Sequence, residues 1–272
     1  MTETMNPETQ LTGGQLAHYR DRGWVVPGFK FPPELLAAMR AEYAALLERN
    51  ADIASDIMLA PHQETGGSQG VRGSGKWLEF ATHPDLMDIA AQLIGDDIIL
   101  WGTTIFGKPA LNGKETPWHQ DGEYYPIRPL ETLTIWIPLD EVTPENGPMR
   151  FIPGSHRDRK LYSHSWVEGD DKTINLVCDP EHYDPDTAED LILEAGQPSF
   201  HDVYMIHGST ANRTDRRRAA FIIRLMPATS FYDHALGARI GAKHPAQGYG
   251  VRPLHLVRGR DRHGSNNFTI GH

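Results

Sequence analysis

The spacing of apolar residues divides the chain in two. Up to about residue 95 the spacing is helical. Thr12 is placed to cap a short helix carrying Leu16 and Tyr19, with Gly23 as its stop, and Trp24-Val25-Val26 then reads as a short strand. Pro32 and Pro33 sit where a helix begins, and Glu34 suits its first turn. Leu35, Leu36, Met39, Tyr43, Leu46 and Leu47 follow at intervals of three and four. A third helix starts near Pro84, sets Leu86, Ile89, Ala90 and Leu93 on one face, and stops at Gly95. From residue 97 the texture changes to strands, at 97–106, 132–139, 149–152, 196–203 and 218–226, separated by turn clusters such as Thr143-Pro-Glu-Asn-Gly-Pro. Helices first and antiparallel strands later predict a mainly β fold with flanking helices, of the α+β class. Residues 51–75 combine many glycines with little periodicity, which predicts a mobile loop of the kind that serves as a lid. The tail, 228–272, is rich in Gly, His and Arg and is expected to be loop. With no readable linker, one domain is expected over 1–272, with a helical part at about 11–95 and a strand core at about 97–226.

Composition narrows the classes. The hydrophobic fraction of 39% is ordinary for a soluble protein, and 26 Gly with 20 Pro makes the chain turn-rich without making it low-complexity. No apolar run approaches the ~18 residues of a membrane helix, and no basic start followed by an apolar stretch reads as a signal peptide. With 26 basic against 36 acidic residues the net charge is −10, which disfavours a nucleic-acid binder. The single cysteine, Cys178, excludes an intrachain disulfide framework and a CxxC zinc site; it reads as a small core residue in a reducing, cytoplasmic compartment. Histidine stands out, at 14.

Position decides which histidines matter. In Trp118-His119-Gln120-Asp121, strand alternation would set His119 and Asp121 on one side, an imidazole beside a carboxylate. A distant histidine would complete a two-His, one-carboxylate triad of the kind that leaves open positions on non-haem Fe(II). His207, brought to a turn at the end of the strand holding Phe200, is that partner. Eleven residues on, Arg218 opens an apolar strand and can grip a carboxylate bidentately. A dicarboxylate needs two anchors, a metal at one end and a guanidinium at the other.

With Phe106-Gly-Lys-Pro, Trp136-Ile-Pro-Leu, Glu145-Asn-Gly-Pro-Met, Ile152-Pro-Gly-Ser-His and His207-Gly-Ser-x-x-Asn-x-Thr, the chain resembles the phytanoyl-CoA dioxygenase-type Fe(II)/2-oxoglutarate oxygenases over most of 11–226. The resemblance implies a double-stranded β-helix, a cupin-like jelly roll. It implies Fe(II) on His119, Asp121 and His207, and 2-oxoglutarate held by Arg218 and Ser209 beside Trp136. The reaction it implies consumes O2, releases succinate and CO2, and oxidises a substrate C–H bond. Related halogenases replace the carboxylate by a small residue, so Asp121 implies hydroxylation.

The substrate is expected to be a small polar or natural-product metabolite. Tyr124 and Tyr125, just after the metal pair, are candidates to contact it, with Thr104 and Phe106 on the strand leading to the pocket. Arg224 shares the face of Arg218 by alternation and is a candidate for an acidic group of the substrate. Arg72 and Lys76, near the glycine-rich loop, are further candidates for an anion. His156 reads as structural, and His201 as a surface residue or a support behind the site. Two other readings stand: a cupin-like metal dioxygenase that does not use 2-oxoglutarate, and a non-enzymatic binding module. Neither a membrane nor a nucleic acid is expected as partner, and the oligomeric state is not readable.

Overall fold

The computed structural model describes residues 6–64, 70–243 and 248–272. In chain order the elements are α1 (Gly13–Arg22), β1 (Trp24–Val25), α2 (Pro33–Arg49), β2 (Ile57–Leu59), α3 (Lys76–Ala81), α4 (Pro84–Ile94), β3 (Ile98–Lys108), β4 (Thr116–His119), β5 (Ile127–Arg128), β6 (Leu133–Pro138) and β7 (Met149–Phe151). They continue with β8 (His164–Trp166), β9 (Leu176–Cys178), β10 (Glu189–Leu191), β11 (Ser199–Asp202), β12 (His207–Ser209), β13 (Arg218–Pro227), β14 (Phe231–Tyr232), α5 (His234–Lys243) and β15 (His255–Arg258).

Seven strands form the larger sheet, in the order β1-β11-β6-β13-β3-β15 with β2 also on β3; four form the smaller, β10-β7-β12-β4. The pairings are antiparallel. This is the jelly roll that the sequence predicts. Strand β13 shows how one strand serves two layers. Ala219, Phe221, Ile223 and Leu225 join a core with Met39, Leu46, Trp77 and Leu86 from the helices. The alternate residues, Arg218, Ala220, Ile222 and Arg224, face the other way, where Ala220 and Ile222 meet Phe151 and Met149 of the smaller sheet. The helices thus cover one face of the larger sheet and leave its other face to the site.

Helix α1 is locked at both ends. Thr12 and Gln15 form a capping box, and Gly23 closes the helix in the left-handed region at φ +96°. A Cβ at Gly23 would lie 2.0 Å from the Met205 sulfur and 2.6 Å from His156 Nδ1, so this turn is packed against the segment that leads to His207. His156 Nε2 bonds to Arg20 O at 3.0 Å and ties the same corner together. Cys178 is fully buried.

Three expectations need correction. The tail is not plain loop: β15 pairs with β3, β14 with β5, and α5 lies between. Gly237 and Gly241 lower the helix propensity of α5 and hid it; Gly237 is needed because a Cβ there would meet Tyr249 O at 2.7 Å. Within 51–75, Ile57–Leu59 is a strand that extends the larger sheet through β3, and residues 65–69 of the expected lid lie outside the described residues. Arg72 and Lys76 do not reach the site. Arg72 pairs with Asp52 and donates from Nε to Arg49 O at 2.6 Å, and Lys76 lies 3.8 Å from Glu42. Among the described residues no helix is long and apolar enough to cross a membrane.

Candidate active site

His119, Asp121 and His207 meet between the two sheets, though not quite as strand alternation foresees. Strand β4 ends at His119, and Asp121 opens a 3-10 turn, Asp121–Tyr124. His207 likewise begins β12 instead of ending a strand; the chain turns at 203–206 after β11. The two corrections share a cause: each ligand sits where a strand meets a turn, and alternation stops there. Gln120 fixes the first turn. Its buried amide donates to Lys160 O at 2.9 Å and Tyr204 O at 2.7 Å, and its Oε1 accepts from Tyr162 N–H at 2.8 Å. The cross-strand pair His207 and His119 brings the two rings to 4.2 Å between centroids.

The ligand atoms of the three residues lie within 4.8 Å of one another. His119 Nδ1 is bonded to Pro117 O at 2.8 Å and His207 Nδ1 to Met205 O at 3.0 Å. Each bond fixes the tautomer with the proton on Nδ1 and leaves the Nε2 lone pair for a metal. Burial lowers the pKa of His119 to about 3 and of His207 to about 4, so both are neutral ligands at neutral pH. Burial pushes the Asp121 carboxyl up, but the Arg224 guanidinium and the surrounding imidazoles outweigh it and hold the group below the usual carboxylate range. Two neutral imidazoles and one ionised carboxylate with supported outer sides suit a divalent cation.

Asp121 faces a row of three residues on adjacent strands of the larger sheet. Thr134 on β6 is in register with His201 on β11 and Arg224 on β13. Thr134 Oγ1 donates to Asp121 Oδ2 at 3.1 Å, and Arg224 and His201 stand 3.9 Å from its two oxygens. His201 is therefore a buried wall of the site and not a surface residue.

Two chambers meet at this cluster, both lined by Phe106, His119, Asp121 and Arg224. The first holds about 480 Å³ of space, its mouth included, and runs between Trp136, Met149, Ser209, Ile222 and Arg218. Arg218 is only 2% exposed. Its guanidinium donates to Gly147 O and stands 5.4 Å from the Trp136 ring, its Nε has no protein partner, and among the described residues no carboxylate lies within 4 Å of it. Burial lowers its pKa to about 10. A buried cation without a counter-ion implies an anion from outside.

The second chamber, about 630 Å³ with its mouth included, shares Asp121 with the first. Thr104, Tyr124 and Tyr125 line it, with Trp101, Tyr249 and Arg252. Arg224 points inward, and two of its nitrogens are already engaged within the protein: Nε donates to Tyr125 Oη and Nη1 to Thr104 Oγ1, both at 2.6 Å. Sequence reasoning missed Arg252 and Tyr249 because the tail carries no periodic signal. It missed Thr134 as well, although alternation from Trp136 would have found it.

The profile of the Phytanoyl-CoA dioxygenase (PhyH) family matches residues 19–220. A probable phytanoyl-CoA dioxygenase of Caenorhabditis elegans is 27% identical over 233 residues, 77% of this chain and 73% of that protein. A probable alpha-ketoglutarate-dependent hypophosphite dioxygenase of Stutzerimonas stutzeri is 34% identical over 140 residues, 51% of this chain and 48% of that one. Among solved structures, the epimerase SnoN in complex with Fe3+, alpha ketoglutarate and nogalamycin RO is similar with a TM-score of 0.62 at 26% identity, over 80% of this chain and 84% of that. The family match begins in α1, runs through every strand that builds the first chamber, and ends on β13 just past Arg218: the chain belongs to the phytanoyl-CoA dioxygenase (PhyH) family.

Proposed function

We propose that the protein is an Fe(II)- and 2-oxoglutarate-dependent oxygenase that hydroxylates a C–H bond of a small polar or natural-product metabolite. His119, Asp121 and His207 would hold the metal, and Arg218, with Ser209 and Trp136, the remote carboxylate of 2-oxoglutarate. Bound Fe(II), with 2-oxoglutarate and O2, supplies the oxidation of the C–H bond while succinate and CO2 are released. The chain's own part is to keep both imidazoles unprotonated, to hold the Asp121 carboxylate with Thr134, and to separate cosubstrate from substrate in two chambers.

One observation carries this reading. Arg218, buried and without an acidic partner, sits in the same chamber as the three-ligand cluster. That placement favours a dicarboxylate over the cupin-like reading, in which Arg218 would have no anion to hold. A non-enzymatic module has no specific observation in its favour.

The second chamber is the substrate's place in this reading, next to Arg224, Tyr124, Tyr125, Thr104 and Phe106. Anaerobic titration of the apoprotein with Fe(II) and 2-oxoglutarate should give a visible charge-transfer band that needs both additions. The Asp121→Ala variant should lose the band. Iron uptake without any effect of 2-oxoglutarate would favour the cupin-like dioxygenase, and an Asp121→Ala protein with a full band would sink the ligand assignment.

A further inference from the structure

His201 lines the first chamber, and the proposed function leaves it unused. It is 1% exposed, and both its ring nitrogens are buried without a hydrogen-bond partner. Buried polar groups are nearly always paired, and leaving one unpaired costs stability. An apolar side chain would fill the same place between the Phe151 ring, 5.3 Å away, and the His207 ring, 5.0 Å away, without that cost. The polar atom facing it is Asp121 Oδ2, at 3.9 Å from Nε2. That gap is too long for a hydrogen bond. Asp121 Oδ2 is moreover already served by Thr134 Oγ1. The imidazole therefore stands in the chamber wall beside the metal-ligating carboxylate, and neither of its nitrogens has a protein partner.

We propose that His201 is a positioning residue for the cosubstrate: its ring N–H donates to a carboxylate oxygen of 2-oxoglutarate where that molecule lies against Asp121, so that the dicarboxylate is held by protein donors at both ends of the chamber. Arg218 grips one end and His201 orients the other. This deepens the proposed function and rests on its reading of the first chamber. The backbone supports the role. Strand β11 is flanked by β1 and β6, and the register of His201 with Trp24 and Thr134 fixes its backbone position in the interior of the sheet.

Three variants test it: His201→Leu, which removes the donor, and His201→Gln and His201→Asn, which keep one. Co(II) affinity of the apoprotein, read from its visible absorption, reports the metal site alone. Anaerobic titration of the Fe(II) protein with 2-oxoglutarate reports the cosubstrate. His201→Leu should bind Co(II) within about threefold of wild type and bind 2-oxoglutarate about ten- to one-hundredfold more weakly, the range for a hydrogen bond to a charged group. Its charge-transfer band should also be displaced, and Gln or Asn should restore much of the affinity. Unchanged 2-oxoglutarate affinity and band position in His201→Leu would overturn the proposal. So would a loss of Co(II) affinity with intact 2-oxoglutarate binding, which would make His201 a support of Asp121. A wild-type protein that takes up Fe(II) but shows no band would instead remove the cosubstrate reading itself.

Discussion

Replacing Arg218 by methionine separates the cost of burying a cation from its use. The guanidinium stands 5.4 Å from the Trp136 ring in a chamber that Met149 and Ile222 also line, donates to Gly147 O, and meets no carboxylate within 4 Å among the described residues. Breaking a buried, hydrogen-bonded charge pair costs about 2–5 kcal/mol. At 1.4 kcal/mol per decade, Arg218→Met should weaken 2-oxoglutarate by about thirtyfold to a few thousandfold. Lysine keeps the charge but not the fork, so Arg218→Lys should fall between. Stability should move the other way. An apolar residue of similar volume in place of a buried charge is neutral or stabilising by about 1–4 kcal/mol. At about 2–4 °C per kcal/mol for chains of about 150–250 residues, the ligand-free variant should melt level with wild type or several degrees above it. Ligand then works against that order. At one hundred times the wild-type Kd, bound 2-oxoglutarate adds about 2.7 kcal/mol to wild type, and to the variant from about 0.9 kcal/mol at thirtyfold weakening to almost nothing at a few thousandfold. Thermal melts with metal, with and without 2-oxoglutarate, and the anaerobic titration together read both effects. A variant that binds 2-oxoglutarate within threefold of wild type would refute the assignment. A variant that melts lower while keeping its affinity would make Arg218 a structural residue.

The remaining predictions concern the fold around the ligands and their protons. Gly23→Ala places a methyl group against Met205 and His156 at φ +96° and should cost about 2 kcal/mol or more in urea unfolding; an unchanged midpoint would show that the corner relaxes freely. Burial lowers His62 and His119 to about 3 and His201, His207 and His255 to about 4, against an ordinary 6.5. Between pH 6.5 and 4 the unfolded chain therefore binds protons that the native chain refuses. Apoprotein stability should fall with pH in that window, on the order of 1.4 kcal/mol per pH unit for each such group, and a flat profile of melting temperature would contradict the burial. Co(II) affinity, by contrast, should stay level from pH 8 to about 5, since His119 and His207 carry no competing proton there. Metal and 2-oxoglutarate should each raise the other's affinity by the same factor, because the guanidinium of Arg224 near Asp121 opposes a cation until an anion arrives; a factor of one by calorimetry would show the two sites uncoupled.

The regular elements were legible because their signals are local and redundant. The Thr12 cap, the Gly23 stop and the three- and four-residue spacing of α2 each point to one answer, and β13 alternates cleanly from Arg218 to Arg224. His119, Asp121, His207 and Arg218 could be picked out as a set, and they come together in space, since each stands at a fixed interval from a strand or turn. The exact local geometry was less legible. A strand that stops at His119 looks the same in sequence as one that runs on to Asp121, and the difference is made by Gln120 bonding to Lys160 and Tyr204, far along the chain. The second chamber was least legible. Arg252 and Tyr249 reach it from a tail whose helix is diluted by glycine, and Ile57 and Leu59 from a three-residue strand that exists only by pairing with β3. Long-range pairing leaves no period in so short a segment.

The charges of the two chambers explain why such a site is held by one strand. Arg218 and Arg224 stand six residues apart on β13, about 20 Å along an extended chain, and both point away from the helices. Asp121 is the only carboxylate among the described residues lining either chamber, against Arg218, Arg224 and Arg252. A chain with net charge −10 has thus gathered cations where its cavity is deepest, and that arrangement opposes folding. The opposition is met only in part from within. The Asp121 charge, 3.9 Å away, answers Arg224, and Tyr125 and Thr104 each accept one of its N–H groups, whereas Arg218 has only Gly147 O. The two arginines therefore do different work. Arg224 is spent on shaping the carboxylate that would face the metal, and its replacement should disturb Asp121 before it disturbs any substrate. Arg218 is left with its charge unanswered, which makes it the end of the strand where a dianion gains most by binding and where a neutral ligand gains nothing.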